Sequence, residues 1–450
     1  MKPAPRTRIR ICFFLLCLIL ASLNGARAQA AQTTAPRSAP LMRDFMGLCV
    51  HTVQFRPDLY TSACRMVRDY HPIDWDIGLK GAEWPRFPMA LNKVDWQKLY
   101  GSWRQSGFSI DMCAQFNRPK ANEWDNIERD ANTYGFAVGR CFGPGGRNLI
   151  ESMEIGNEPG EYSDEAYRRL FKSMAEGVRA GDAALTIATC AVTPGKSTRY
   201  ARSLECFRGL DNLYDVITLH TYAEIEGYPT WRRSYPEDPR IKYLNDVRAV
   251  QSWRDRNAPG KPVWITEFGW DASTKPAPAT GNFKGWAGST EIEQARYIVR
   301  SLMIFASMGV DRAYIYWFND KDEPQVHASS GLTRNYTPKP AWHAVAHLYD
   351  VLGNWRFERI VQDKPGGIMV FSFAPADAAG KSRIWAAWSP TGSNRRAEQV
   401  IDLGGAVCAR AERMALDGAG PAPVAFENAA PDRVKIEIDE SPVFLRVTNP

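Results

Sequence analysis

Between residues 45 and 350 short apolar runs and amphipathic segments take turns eight times, and few folds accept that order. The runs are FMGLCVHT (45–52), CRMVRDYH (64–71), FSIDMCAQF (108–116), LIESMEIGNE (149–158), LTIATCAV (185–192), YDVITLHTY (214–222), PVWITEFGW (262–270) and RAYIYWFND (312–320). They are rich in β-branched and aromatic residues, as buried strands are. Between them DWQKLYGSWRQSG, DEAYRRLFKSMAEGVRAG and TEIEQARYIVRSLMIFASMG place apolar residues at helical spacing and stop on glycine. The helix expected before Cys64 is short. Eight strands alternating with helices over about 300 residues predict an α/β fold of the (β/α)8 TIM-barrel type over residues 44–352. After residue 353 the texture changes to short strands between Gly, Pro, Asp and Asn turns, such as GGIMVFSFA, RIWAAWSP and PVFLRVT. That predicts a small antiparallel β-sandwich over 353–450.

The first 28 residues read as a secretory signal peptide. A basic start (Lys2, Arg6, Arg8, Arg10) leads into an apolar run from Ile11 to Leu23, then an Ala26-Arg27-Ala28 frame. The run is short for a membrane span, which needs ~20 residues; an uncleaved anchor is the alternative. Cys17 lies inside the run, which argues against a lipoprotein. Residues 29–43 read as a disordered lead-in, and the mature chain as secreted or periplasmic, free of the membrane. The leader holds five basic residues and no acid, so the net charge of +6 falls to +1 on its removal. That balance gives no argument for nucleic acid. Seven cysteines remain, widely spaced and with no metal-finger pattern. Most of them read as small buried hydrophobes.

Active sites of such barrels sit at the C-terminal strand ends. Strand four ends in Asn157-Glu158-Pro159, strand six in His220-Thr221-Tyr222, strand seven in Thr266-Glu267-Phe268, and strand eight in Tyr316-Trp317-Phe318. Two carboxyls facing each other are what glycosidic cleavage needs, one protonated to release the leaving oxygen and one ionised to attack carbon. No metal cluster, HExxH or GxSxG is present, so neither a metal nor another cofactor is expected. The phosphate-loop look of CAVTPGKST fails because Cys190 stands where a glycine is required, and it reads as a strand-five exit loop.

The segments EIGNEP, LHTY, WITEFGW and YIYWFND, followed by SSGLTRNYTPKPAW, together resemble clan A of the retaining glycoside hydrolases. Barrel plus sandwich is most similar to family thirty-nine and family-five-like members. The resemblance implies Glu158 as acid/base and Glu267 as nucleophile. It implies Asn157 on the sugar hydroxyl beside the reacting carbon, His220 and Tyr222 orienting Glu267 or the sugar, and Trp317 as the subsite floor. It also implies an arginine at the end of strand two, for which Arg68 is the candidate and His71 and Lys80 are rivals. The substrate class implied is a carbohydrate, a β-linked oligo- or polysaccharide such as an exopolysaccharide or cell-wall glycan. Two rivals share these residues: a barrel that binds glycan without cutting it, and a transglycosylase of polysaccharide assembly. Carboxyls more than about 10 Å apart would favour the first.

Simpler readings stand beside these. Asn-Glu-Pro alone is a strand end with a solvated acid. Glu154 reads as a structural carboxylate paired with a cation, and His220 as either a site residue or a satisfied core histidine. Trp84, Trp103 and Trp124 read as packing or subsite aromatics. Arg232, Arg233 and Lys284 could meet an acidic sugar or only solvent.

Overall fold

The computed structural model of the chain describes residues 38–78, 84, 86–116, 118–364, 366–377 and 380–448. The leader, most of the lead-in and Lys80 lie outside them. Leu41 bridges to Arg356, and Met42–Phe45 form one helical turn with Met42 and Phe45 buried.

Eight parallel strands follow: β1 (Met46–Val50), β2 (Met66–Pro72), β3 (Ser109–Gln115), β4 (Ser152–Ile155), β5 (Thr186–Thr193), β6 (Val216–His220), β7 (Val263–Phe268) and β8 (Arg312–Ile315). Each pairs with the next, and β8 returns to β1 through Met46–Ala313 and Gly47–Tyr314, so the barrel is closed. All eight expected runs are strands. Six helices surround them: α1 (Trp96–Gln105), α2 (Ile127–Phe142), α3 (Asp164–Gly181), α4 (Tyr243–Asn257), α5 (Glu291–Ser307) and α6 (Pro340–Leu352). Their starts are chemically marked. Asp95, Asn126 and Ser163 each accept a backbone N–H of the first turn, Thr290 and Glu293 form a capping box, and Pro340 opens α6. Two crossovers lack a full helix. One turn, Pro57–Tyr60, follows β1, and a single 3-10 turn, Leu204–Phe207, follows β5.

Side chains alternate along a strand, so each barrel strand offers one set to the helices and one to the interior. On β2, Asp69 and His71 face outward into a network with Tyr100, Asp76, Tyr134 and Trp96. Arg68 and Tyr70 face inward. The interior also holds Ser152 bonded to Asp111 at 2.7 Å, and a ring-filled layer of Tyr314, Trp264 and Met66.

The C-terminal part has two antiparallel sheets. The larger contains β9 (Trp355–Asp363), β10 (Met369–Pro375), β11 (Ser382–Trp388), β13 (Val407–Arg413) and β16 (Val443–Thr448); the smaller contains β12 (Ala397–Asp402), β14 (Phe426–Ala430) and β15 (Arg433–Ile438). Phe371, Phe373, Ile384 and Trp388 join the core of the barrel, while Val370, Trp385 and Leu445 join a separate core between the two sheets. The larger sheet is therefore buried on both faces. Of the chain's nine cysteines, the seven among the described residues are free thiols, and six of these are buried. No helix among the described residues is long and apolar enough to cross a membrane.

Candidate active site

β4 stops at Ile155, and Gly156 adopts φ +96°, a conformation that a β-carbon would strain. The turn lets the chain change direction. The Asn157 carbonyl still accepts the Ala191 N–H, which anchors the turn to β5, and Glu158 emerges at the mouth, 26% exposed. Pro159 then stops further pairing.

Glu267, near the end of β7, is almost fully enclosed. One carboxylate oxygen accepts the Tyr70 hydroxyl at 2.6 Å and the Arg68 guanidinium at 3.1 Å. The other accepts the Tyr222 hydroxyl at 2.8 Å and lies 3.5 Å from His220 Nδ1. Burial works against its charge, but His220, Arg68 and the two tyrosines more than offset it and hold the carboxyl well below the ordinary range. Burial and the neighbouring Glu267 push both phenols well above their usual value, so they remain protonated donors.

Arg68 is fully buried and spends its donors on four partners. Besides Glu267 it donates to Glu154 at 2.7 Å, Asn157 Oδ1 at 2.8 Å and the Cys113 sulfur at 3.1 Å. Glu154 is thus the paired structural carboxylate expected from its strand parity. Burial pushes its carboxyl up to about 7 against the pull of Arg68. Asn157 has its oxygen engaged, which leaves its NH2 for a ligand. The rival His71 is bonded to Asp76 and Tyr100 on the outer side of β2, away from this cluster.

His220 Nδ1 lies 2.9 Å from Glu158 and between the two carboxyls. Burial opposes its charge, yet Glu267 and Glu158 raise its basicity. Its Nε2 is buried with no partner. The ligand atoms of Glu158, His220 and Glu267 all lie within 4.8 Å of one another. They are the one set among the described residues placed to hold a metal ion, although the Arg68 guanidinium beside Glu267 disfavours a second cation there.

Trp317 follows β8 through a cis peptide, and its indole packs edge-on against His51 with centroids 5.2 Å apart. Its N–H is buried and unpartnered. The seven expected residues therefore occupy one barrel mouth, all but Trp317 joined by hydrogen bonds. The sequence reading passed over three others, Tyr70 on Glu267, Cys113 on Arg68 and His51 against Trp317, and it took Arg233 only as a loop cation facing an acidic sugar or solvent. The Arg233 guanidinium stacks 4.2 Å over the Tyr222 ring and pairs with Asp271 at 3.0 Å. Arg232 is paired with Glu226, so neither loop arginine is a free cation. Tyr70 had a signal, since it stands two residues beyond Arg68 on the same face of β2. Trp103 is core, Trp124 is bonded to Tyr162, and Trp84 is 40% exposed.

No protein-family model and no curated protein matches the chain. Solved structures do. A family 39 glycoside hydrolase from the gut symbiont Bacteroides cellulosilyticus WH2 superposes with a TM-score of 0.67 at 17% identity, over 91% of this chain and 82% of that one. The catalytic domain of the GH30 xylanase C from Talaromyces cellulolyticus gives 0.59 at 14% identity, over 92% and 98%. AbfB, a family 51 α-L-arabinofuranosidase from Bifidobacterium longum, gives 0.56 at 12% identity, over 92% and 98%. The chain shares their fold.

Proposed function

We propose that the chain is an exported retaining glycoside hydrolase acting on β-linked oligo- or polysaccharides. Glu267 is the nucleophile and Glu158 the acid/base. The observation that carries this reading is the environment of Glu267, a buried carboxylate kept ionised by Tyr70, Tyr222, Arg68 and His220, with Glu158 within 4.8 Å and open to the cleft. Retaining enzymes hold their carboxyls about 5–5.5 Å apart, and inverting enzymes about 6.5–9.5 Å. An oxygen of each carboxyl lies within 4.8 Å of the other, a closeness that favours the first.

In the first half-reaction Glu267 forms a bond to the anomeric carbon as the glycosidic bond breaks, and the Glu158 proton goes to the departing oxygen. In the second, Glu158 takes a proton from water, and the water oxygen displaces Glu267. Asn157 offers its NH2 to the adjacent sugar hydroxyl, and Trp317 offers a ring to the sugar. His220 faces both carboxyls and can follow the change of charge on each. The structural neighbours named above, a family 39 hydrolase, a xylanase and an arabinofuranosidase, support a carbohydrate substrate. The reading of a barrel that only binds glycan would draw support from distant carboxyls, which this site does not have. A transglycosylase would use the same residues and differ only in the acceptor.

The test is labelling with activated 2-deoxy-2-fluoro glycosides followed by peptide mapping. The fluorine slows breakdown of the ester, so the nucleophile keeps the sugar. Label on Glu267 is expected, and label on another residue would overturn the assignment.

A further inference from the structure

A pocket of about 400 Å³ opens beside Glu158. Glu158 lines it and Glu267 does not. If Glu158 is the acid/base, as proposed above, it delivers its proton to the leaving oxygen, and the space on its side away from the nucleophile receives the departing residue.

The walls of this pocket are built and not merely left over. Its rim is the tip of the loop after β5, which carries Arg199 and Tyr200. Thr198 closes a tight turn with Ala201 at 2.8 Å, and its hydroxyl accepts the N–H groups of Tyr200 and Ala201. Arg202, 4% exposed, pins the base of the loop to the Tyr162 carbonyl and to Asp164. On the other side the bare Gly160 backbone presses on the Arg199 carbonyl, where a β-carbon would lie only 2.0 Å away. The tip is thus fixed against the turn that carries Glu158, while Tyr200 stays 61% exposed. Phe116 supplies a second ring in the wall.

The charges in the pocket point one way. Arg199 makes no ion pair among the described residues, and Lys120 meets Glu161 only loosely, at 3.9 Å with both side chains more than half exposed. While Glu158 is protonated, Lys120 and Arg199 outweigh Glu161. Once Glu158 has given up its proton the signs balance. We infer that the pocket is the leaving-group subsite and that it takes an acidic sugar, a uronate. Arg199 and Lys120 meet the carboxylate, and Tyr200 and Phe116 meet the ring. An anionic leaving group is held before cleavage and let go after it, because the donor beside it has become negative.

The test is equilibrium binding of methyl β-glucuronide and methyl β-glucoside to the full chain, followed by NMR titration in low salt and again in 0.5 M salt. In the Glu158→Gln background, where the carboxyl that would balance the charges is neutral, glucuronide should bind about tenfold tighter in low salt, a difference of about 1.4 kcal/mol. The preference should fall below about twofold in high salt, where exposed charges are screened, and in Arg199→Gln. Arg199 is exposed, so this variant should keep its fold, and Lys120→Gln should lose part of the preference. Equal affinities, no binding of either sugar, or a preference that survives Arg199→Gln would overturn the inference. The result is separable from the labelling test. Label on Glu267 without an acidic preference sinks the subsite alone, whereas a preference without label leaves an acidic-sugar pocket but sinks the hydrolase reading and, with it, the pocket's assignment to the leaving group.

Discussion

As the proposed nucleophile, Glu267 would have to attack carbon in one step and leave it in the next, and its donors would act on both. Hydrogen bonds to the carboxylate make it a better leaving group and keep it ionised in acid. Tyr70→Phe removes the donor at 2.6 Å without changing the ring, and a hydrogen bond to a charged group is worth about 1.5–3 kcal/mol. The Glu267 pKa then rises towards its ordinary value. The acidic limb of kcat/KM, which reports ionisation of this carboxyl in the free enzyme, should move to higher pH by roughly one pH unit. An unmoved limb would mean that another group controls it. Glu158→Gln should behave differently. Loss of the acid should slow cleavage of poor leaving groups by about 10²–10⁴-fold and spare the first step on a dinitrophenyl glycoside, whose leaving group needs no proton. Pre-steady-state bursts on the two substrates separate these cases. The pair itself was legible because each glutamate stands in a recognisable strand-end tripeptide. Arg233 was named only as a loop cation, and its place over Tyr222 was not legible, because it depends on a loop folding back over that ring, which no local spacing records.

At the scale of elements, the barrel closes where β1 meets β8, and Gly47 makes that seam. A β-carbon on it would lie 2.4 Å from the Tyr314 ring, so the tyrosine fills the space that glycine leaves. Gly47→Ala forces the ring to move within a packed interior, which costs typically about 1–3 kcal/mol. A lower thermal midpoint is expected, with the companion change Tyr314→Leu restoring part of it. If Gly47→Ala alone melts like the parent, the seam tolerates more than its geometry implies. The eight barrel strands were readable because parallel strands are buried on both faces and appear as continuous apolar runs. β9, β13 and β14 escaped the reading. WRFERIVQD and VCARAER carry charges along partly exposed strands, and FENAA is short and polar, so none has the apolar run that marks its neighbours. The missing helix after β5 also left no mark, since a 3-10 turn over LECF has no periodicity to read.

Across the whole molecule, the larger sheet of the sandwich is a working part of the barrel's surface. Glu237, in the loop after β6, accepts the Trp388 indole N–H of β11 at 2.6 Å and the Arg300 guanidinium of α5 at 2.9 Å. Arg300 also donates to the Thr391 carbonyl and is fully buried. Loop, helix and sandwich thus meet on one carboxylate. That same loop carries Arg233, whose guanidinium lies over Tyr222 and so bears on Glu267. Glu237→Ala leaves a buried guanidinium without its counter-charge, a change that costs about 3–5 kcal/mol in comparable sites. We expect barrel and sandwich to melt together at a lower temperature, because the larger sheet shares its core with the barrel. The kcat should fall well below the melting range, as the loop loses its anchor. Glu237→Gln keeps an acceptor for Trp388 and should fall between the two. Following near-ultraviolet dichroism and hydrogen exchange at β11 through the same melt tests the coupling. A sandwich that unfolds first, over a barrel that keeps its midpoint and its activity, would show that the clamp joins two independent bodies.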